Sequence, residues 1–409
     1  MDELAINGGP KAKSTPYNAP NRYGEEEMAL LTQDIESGRL MGPGGMVRTF
    51  EEAVEEAFGV KHAVMVTSGT AALHTGLAAL GVCEGDEVIT TPMTDMGTIA
   101  AILALHAIPV FADIDLDTCL LSPQSVREHM TPRTRAVLPV HMAGLVCDMD
   151  AFMQIGAETG VKILEDCAQA HGGRYRGRLV GTIGDAAGFS TNESKHMSTG
   201  DGGFVTTDDD RTAEIASLFR DKTYVRNRRL PRGEQPILFF ALNYRPTCLQ
   251  AAVGLAQLRK LDALVARRNE IVARYYRELS DLEGLELPTV VDGSEASWWP
   301  LPARYVGDDP TRDDIVKALV AEGVWTSSGM APANNFLRTD LIQKRKYYPL
   351  TDEVPAFWRD TVYDADSCPN VDELQRTVIR LPVDERHTDE DVDQTIAGVR
   401  KVWAHLVAR

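Results

Sequence analysis

Apolar residues along the first half of the chain alternate between two rhythms. TFEEAVEEAF (49–58) sets Phe50, Val54 and Phe58 at helical spacing behind the turn MGPGG, and Thr49 followed by acids predicts an N-cap there. KHAVMVTSGTAALHTGLAAL (61–80) reads as a short strand running through Ser-Gly-Thr into an Ala/Leu-rich helix. The alternation then recurs: DEVITTP (86–92) as strand, TIAAILALHA (98–107) as helix, PVFADID (109–115) as strand, and SPQSVREHM (122–130) as a capped helix. AVLPVH (136–141), the helix DMDAFMQIGAETG (148–160) and VKILEDC (161–167) continue it. Strands separated by helices of this length predict a mostly parallel sheet covered on both faces.

The rhythm changes after about residue 245. CLQAAVGLAQLRKLDALVARRNEIVARYYREL (248–279) is a long helical stretch with Leu261, Leu264, Val265, Val272, Tyr275, Tyr276 and Leu279 on one side. Shorter signals and Pro-rich joints follow, and DEDVDQTIAGVRKVWAHL (389–406) closes the chain as an amphipathic helix. The expected organisation is a large α/β domain over residues 1–255 and a smaller C-terminal α+β domain over 256–409, with the N-terminal segment docking on the smaller one.

Composition narrows the function classes. The chain has 409 residues, 44% of them apolar, enough for two cores. Its formal charge of −18 disfavours general binding to nucleic acid or to an anionic membrane. Six cysteines at long spacings with no CxxC pair read as reduced thiols, not as a zinc site or a disulfide frame. The opening MDELAINGGPKAKS lacks the order of a signal peptide, and no apolar run approaches the ~20 residues of a membrane span. A soluble, cytoplasmic protein is expected.

Four stretches end strands where open α/β sheets bind ligands. Ser68-Gly69-Thr70 opens a helix, where backbone N–H groups and two hydroxyls can meet an anion; an ordinary N-cap turn is the plain alternative. Asp166 ends an apolar strand in ILEDCAQAHGG, with Gln169 and His171 close behind. Such a carboxylate needs a cation or donors, and a protonated pyridine nitrogen is one cation that fits; a helix-capping aspartate is the alternative. Lys195 sits in GFSTNESKHMSTGDGG, a small polar stretch with little charge nearby to solvate it. Burial there would lower its pKa, as a reactive amine requires, whereas an ordinary loop lysine would be solvated. Ser190 could add a hydroxyl to the same anion. Asn243 and Arg245, in ALNYRPTCLQAA, open the long helix.

TSGTAAL, DEVI, PVFADID, PVHMAG, DMDA, EDCAQAHG, the FSxxxxK segment with its Gly-rich tail, and NYR…LQAAVGLAQL occur in the order and spacing of the DegT/DnrJ/StrS family. The chain resembles that family from about residue 40 to 280, and more loosely to its end. The resemblance implies a fold type I, pyridoxal-phosphate-dependent sugar aminotransferase. Lys195 would form the Schiff base and shuttle the substrate proton, Asp166 would pair with the pyridine nitrogen, and Gln169 would lie near the 3-hydroxyl. Ser68, Gly69, Thr70 and Ser190 would hold the phosphate. Asn243 would reach the phosphate of a neighbouring subunit, which implies a homodimer with shared active sites.

The chain departs from the family at TPMTDMGT, where Asp95, with Met96 beside it, stands at the position of an aromatic residue that stacks on the cofactor. Either Met96 covers that face or Asp95 bonds near it. Relatives with histidine at the lysine position are dehydratases, so Lys195 favours transamination, and His196 is expected to play a supporting hydrogen-bonding part. Arg226, Arg228, Arg229 and Arg232 could meet an anionic, nucleotide-linked or phosphorylated sugar, with a solvated surface loop or a subunit contact as the plainer alternative, while the Cys-Ala-Gln-Ala-His version of the Asp166 motif resembles the cyclitol branch with glutamine as donor. The expected reaction moves an amino group from glutamate or glutamine to a keto-sugar or keto-cyclitol, in amino-sugar, aminocyclitol or natural-product biosynthesis. The rivals are a pyridoxal-phosphate-dependent sugar dehydratase or lyase and a non-catalytic cofactor-binding regulator.

Overall fold

The computed structural model describes residues 3–41, 45–225, 234, 236–330 and 335–407. Seven strands form the main sheet: β1 (His62–Val66), β2 (Glu87–Thr90), β3 (Ile108–Phe111), β4 (Thr134–Val137), β5 (Lys162–Asp166), β6 (Ala186–Ser190) and β7 (Gly203–Thr207). Their spatial order is β1-β7-β6-β5-β4-β2-β3. Only β7 runs against the rest: it pairs antiparallel with both β1 and β6, while β6, β5, β4, β2 and β3 pair parallel. Six strands therefore point their carboxyl ends the same way.

The strands are apolar on both faces because both faces are covered. Val64, Val66, Val88, Leu164 and Val205 pack with Leu73 and Leu77 of helix α3 (Gly69–Ala79). The intervening Met65, Ile89, Ile163 and Phe204 pack with Phe50 and Val54 of α2 (Met46–Phe58) and with Phe152 and Ile155 of another helix, Met149–Thr159. Phe189 and Phe204, on adjacent strands, stack with centroids 4.5 Å apart.

The alternation predicted from the sequence is present, with shifted helix starts. α2 begins at Met46 behind Gly45, three residues before the expected cap, because Met46 and Val47 are themselves buried. Thr49 thus lies in the first turn, its hydroxyl donating to the Gly45 carbonyl at 3.3 Å. The helix after β2 starts at Met96, because the Asp95 side chain accepts from the Gly97 N–H at 2.8 Å and caps it. Ser122 precedes Pro123–His129 without a side-chain capping bond, so the expected cap there is backbone only.

Cys248–Leu279 is one unbroken 32-residue helix, capped by Thr247 and Gln250 reciprocally. The expected domain division at 255/256 falls within it. Its later turns meet the C-terminal region through Tyr275, whose hydroxyl donates to the Pro382 carbonyl at 2.9 Å, and through the Arg267–Asp389 ion pair. That region holds a second sheet of β8 (Leu285–Glu286), β9 (Leu301–Tyr305), β10 (Ser327–Ser328) and β11 (Val378–Leu381), in the order β8-β9-β11-β10. The N-terminal segment lies against the same region: Glu322 accepts from the N–H groups of Ala5 and Ala12, and Lys13 forms a buried ion pair with Asp391. Among the described residues, no helix is long and apolar enough to cross a membrane.

Candidate active site

A cleft of about 550 Å³ opens at the carboxyl ends of the parallel strands, between the main sheet and β9–β11. Ser68 follows β1 and caps α3, its Oγ accepting from the Ala71 N–H at 3.1 Å. The other N–H groups of that first turn have no helical partner and carry the positive end of the helix dipole. Glycine is required here by space: a Cβ on Gly69 would lie 2.6 Å from the Cβ of Ser190 at the end of β6, and one on Gly97 2.7 Å from Thr70 Oγ1. The hydroxyls of Ser68, Thr70 and Ser190 therefore line one small cradle with a helix start at its base.

Asp166, at the end of β5, is buried. Its Oδ2 accepts from Thr98 Oγ1 at 2.8 Å and its Oδ1 from the Ala168 N–H at 3.1 Å. Burial pushes the carboxyl above its ordinary value, against these two donors and the nearby Lys195 charge. Gln169 is buried beside it, and its Oε1 accepts from the Ala143 N–H at 2.8 Å. That bond fixes the amide and leaves its nitrogen as the donor.

Lys195 lies in the connection from β6 to β7, half-buried at the centre of the cleft. Its Nζ sits 3.9 Å from the centroid of the Trp299 ring. Burial pushes the ammonium down from its ordinary 10.5, the carboxylates of Asp166 and Asp95 pull it back up, and Arg380 pushes it down further. The connection is pinned from outside: Arg22 donates to the carbonyls of Glu193 and Lys195, each at 2.9 Å, and Trp299 Nε1 donates to the Ser194 carbonyl at 2.7 Å.

The structure thus brings Ser68, Gly69, Thr70, Asp95, Asp166, Gln169, Ser190 and Lys195 to one cleft. Met96, 42% exposed, is not among the lining residues. Asn243 lies elsewhere on the surface, its backbone bridged to Asp221. Arg226, Arg228, Arg229 and Arg232 lie outside the described residues. His196 is buried, its Nε2 donating to the Ser297 carbonyl at 3.1 Å. His141, Glu165 and Cys167 come together under the sheet, but His141 Nδ1 accepts from the Cys147 N–H and Glu165 takes three backbone N–H groups, so the trio braces the fold.

Thr98, Trp299 and Arg380 also line the cleft, although the sequence motifs give none of them a site role. Trp299 and Arg380 stand on and beside β9 and β11, over a hundred positions from Lys195, in segments without a chemical motif.

The lining fits pyridoxal 5′-phosphate. An anion cradle at the start of α3, a buried carboxylate, and an amine whose charged form burial disfavours occupy one space. A scan of family models matches residues 21–335 to the DegT/DnrJ/EryC1/StrS aminotransferase family. The spore coat polysaccharide biosynthesis protein SpsC of Bacillus subtilis is 35% identical over 395 residues, 95% of this chain and 96% of its own. A putative L-glutamine:3-amino-2,3-dideoxy-scyllo-inosose aminotransferase of Streptoalloteichus tenebrarius is 37% identical over 334 residues, 79% of each chain. Among solved structures, an aminotransferase from Psychrobacter cryohalolentis superposes with a TM-score of 0.86 at 27% identity, covering 96% of this chain and all of that one.

Proposed function

The chain belongs to the DegT/DnrJ/EryC1/StrS aminotransferase family, and from that premise we propose that it moves an amino group from L-glutamate or L-glutamine to a keto-sugar or keto-cyclitol. Pyridoxal 5′-phosphate is its cofactor. The observation that carries the reading is a single one: Lys195, half-buried, shares its cleft with buried Asp166 and the Ser68-Gly69-Thr70 helix start.

When bound, the cofactor supplies a carbonyl for the donor's nitrogen and a ring that draws electrons away from the reacting carbon. The protein supplies the rest. The α3 start, with Ser68, Thr70 and Ser190, would hold the phosphate through N–H and O–H donors. Asp166, oriented by Thr98 and Ala168, would accept the pyridine N–H and keep that proton in place. Gln169 would donate its amide N–H to the ring hydroxyl oxygen. Lys195, its charged form disfavoured by burial, would take the proton from the donor's α-carbon and later deliver one to the carbon of the acceptor ketone. Trp299 covers that amine and limits its contact with water. At the expected stacking position, Asp95 rather than Met96 faces the cleft.

A homodimer with shared sites is part of this reading. Asn243 is exposed and follows a stretch in which Ile237, Leu238 and Phe240 are also exposed, Phe240 by 85%. Helix α1 (Glu25–Ser37) likewise turns Met28 and Ile35 outward. Clustered exposed apolar side chains of this size support association with a second copy, which would carry Asn243 toward the other subunit's phosphate.

The names of the relatives, one in polysaccharide biosynthesis and one acting on an aminodideoxy-inosose, support the acceptor class. The test is to incubate the loaded enzyme and L-glutamine or L-glutamate with a neutral keto-cyclitol and with a nucleotide-linked keto-hexose, and to weigh the products. An amine formed from either ketone is expected. Loss of water from the ketone without nitrogen gain would instead establish a dehydratase.

A further inference from the structure

Beyond Trp299 the cleft adjoins a second pocket of about 470 Å³. Ser194, Trp299 and Arg380 line both spaces, so the two share a wall. The steps assigned to Lys195, Asp166 and the anion cradle leave the second space unused. Its largest apolar wall is Trp325, which leaves 58% of its surface open. Tryptophan is highly buried on average, so an indole left open at the rim of a pocket offers a flat apolar platform. Trp325 lies two residues before Ser327, which pairs with Arg380 across β10 and β11, so the platform and the shared wall stand on one face of the small sheet. Tyr17 and His387 form another side, their ring centroids 4.7 Å apart, and the Tyr17 hydroxyl oxygen accepts from the Trp325 N–H at 3.4 Å.

The polar lining offers donors and acceptors in near balance. Arg22 and Arg268 share Glu385, Arg386 is held by Asp384 at 2.7 Å, and Glu193 adds a third carboxylate. Arg380, the fourth guanidinium, stands at the boundary with the main cleft. Burial holds His387 below its ordinary pKa, so it adds no charge at neutral pH. Its buried Nδ1 and the buried Nε of Arg22 have no hydrogen-bond partner among the described residues. A phosphate entering here would meet carboxylates already in place. Vicinal hydroxyls meet no such conflict: each donates and accepts, so a pair can bridge a carboxylate and the guanidinium beside it. A pyranose or cyclitol ring also brings an apolar C–H face to an indole.

We propose that this pocket is a subsite for a neutral sugar or cyclitol ring, linked to the ring that bears the ketone, with Trp325 as its platform. The preferred acceptor then has two rings. The assignment rests on the aminotransferase reading above, which makes the bound molecule the acceptor.

The experiment compares wild type, Trp325→Ala and Trp325→Phe, each loaded with cofactor; a side chain this exposed is replaced without loss of melting temperature, which is checked. Binding is read without turnover, by saturation-transfer NMR titration, with two pairs of unreactive probes. Myo-inositol is set against its galactosyl derivative galactinol, and methyl α-D-glucoside against maltose. In the wild type, at least one two-ring probe is expected to bind on the order of 10-fold more tightly than its one-ring partner. Trp325→Ala should lose most of that advantage and Trp325→Phe keep most of it. No advantage for either two-ring probe in the wild type, or one that Trp325→Ala leaves intact, would overturn the proposal. So would a loss of uridine diphosphate glucose binding in Trp325→Ala with galactinol and maltose unaffected, which would reassign the platform to a nucleobase. If wild type formed no amine from any ketone, the aminotransferase reading would fail, and the same titrations would still decide whether the pocket takes a second ring.

Discussion

The charge of Lys195 is governed by what surrounds it. Burial favours the neutral amine, two carboxylates oppose that, and the Trp299 ring closes over the nitrogen. Removing the ring in Trp299→Ala should re-expose the ammonium and let its pKa climb back toward 10.5. The neutral fraction at pH 7 then falls, so the alkaline rise in the donor half-reaction should move to higher pH, while Trp299→Phe keeps the wild-type profile. A pH–rate series on the three proteins checks this, and an unshifted profile in Trp299→Ala would remove the ring from the account. Lys195, Asp166 and Ser190 were legible because each lies in a local signature: a lone lysine among small polar residues, an acid ending an apolar strand, and a serine five residues before the lysine. Trp299 and Arg380 have no such signature. Only the pairing of β9 with β11, and the docking of both above the main sheet, reveals what they face.

At the scale of elements, the site depends on how closely α3 approaches the end of β6. Gly69→Ala would place a methyl group 2.6 Å from Ser190 Cβ, so the helix start and the strand must separate. Overpacking of this kind costs roughly 1–3 kcal/mol, and it also opens the anion cradle. The expected outcome is a lower melting temperature together with at least tenfold weaker retention of pyridoxal phosphate in dialysis. Ser68→Ala, which loses the bond to the Ala71 N–H, should cost about 1 kcal/mol of stability. Both effects are read by thermal unfolding and by cofactor titration. The alternation of strands and helices was legible from periodicity, since each buried strand is apolar on both faces and each helix keeps one apolar stripe. Helix starts were less so: Gly45 and buried Met46 begin α2 earlier than Thr49 suggested, because tertiary burial outweighs a local capping preference. The division between domains is blurred in the sequence for a similar reason, as one 32-residue helix serves both sheets.

At the scale of the whole molecule, two consequences follow from burial. His171 is buried with both ring nitrogens unpartnered and is held down to about 3, and His74 to about 4, both by loss of solvent. These folded values lie below the unfolded 6.5, so the unfolded chain binds more protons between pH 6.5 and those values. Stability is therefore lost as pH falls through that window, by up to about 1.4 kcal/mol per pH unit for each group. The melting temperature should drop steadily from pH 7 to pH 4.5, and less steeply in His171→Phe; equal slopes would contradict the assignment. The second consequence concerns assembly. If Asn243 completes the partner's site, mixing inactive Lys195→Ala with impaired Asn243→Ala should regain activity, since one site in each mixed dimer then holds both native residues. The sequence could not decide this, because an exposed asparagine reads the same in a monomer.

The most direct measurement is the visible absorption spectrum of the purified protein before and after L-glutamine or L-glutamate, beside Lys195→Ala. The account predicts a yellow band in the wild type that bleaches with the donor, and no such band in the variant. No band in the wild type even after reconstitution with pyridoxal phosphate, or a band that no amino donor moves, would contradict it.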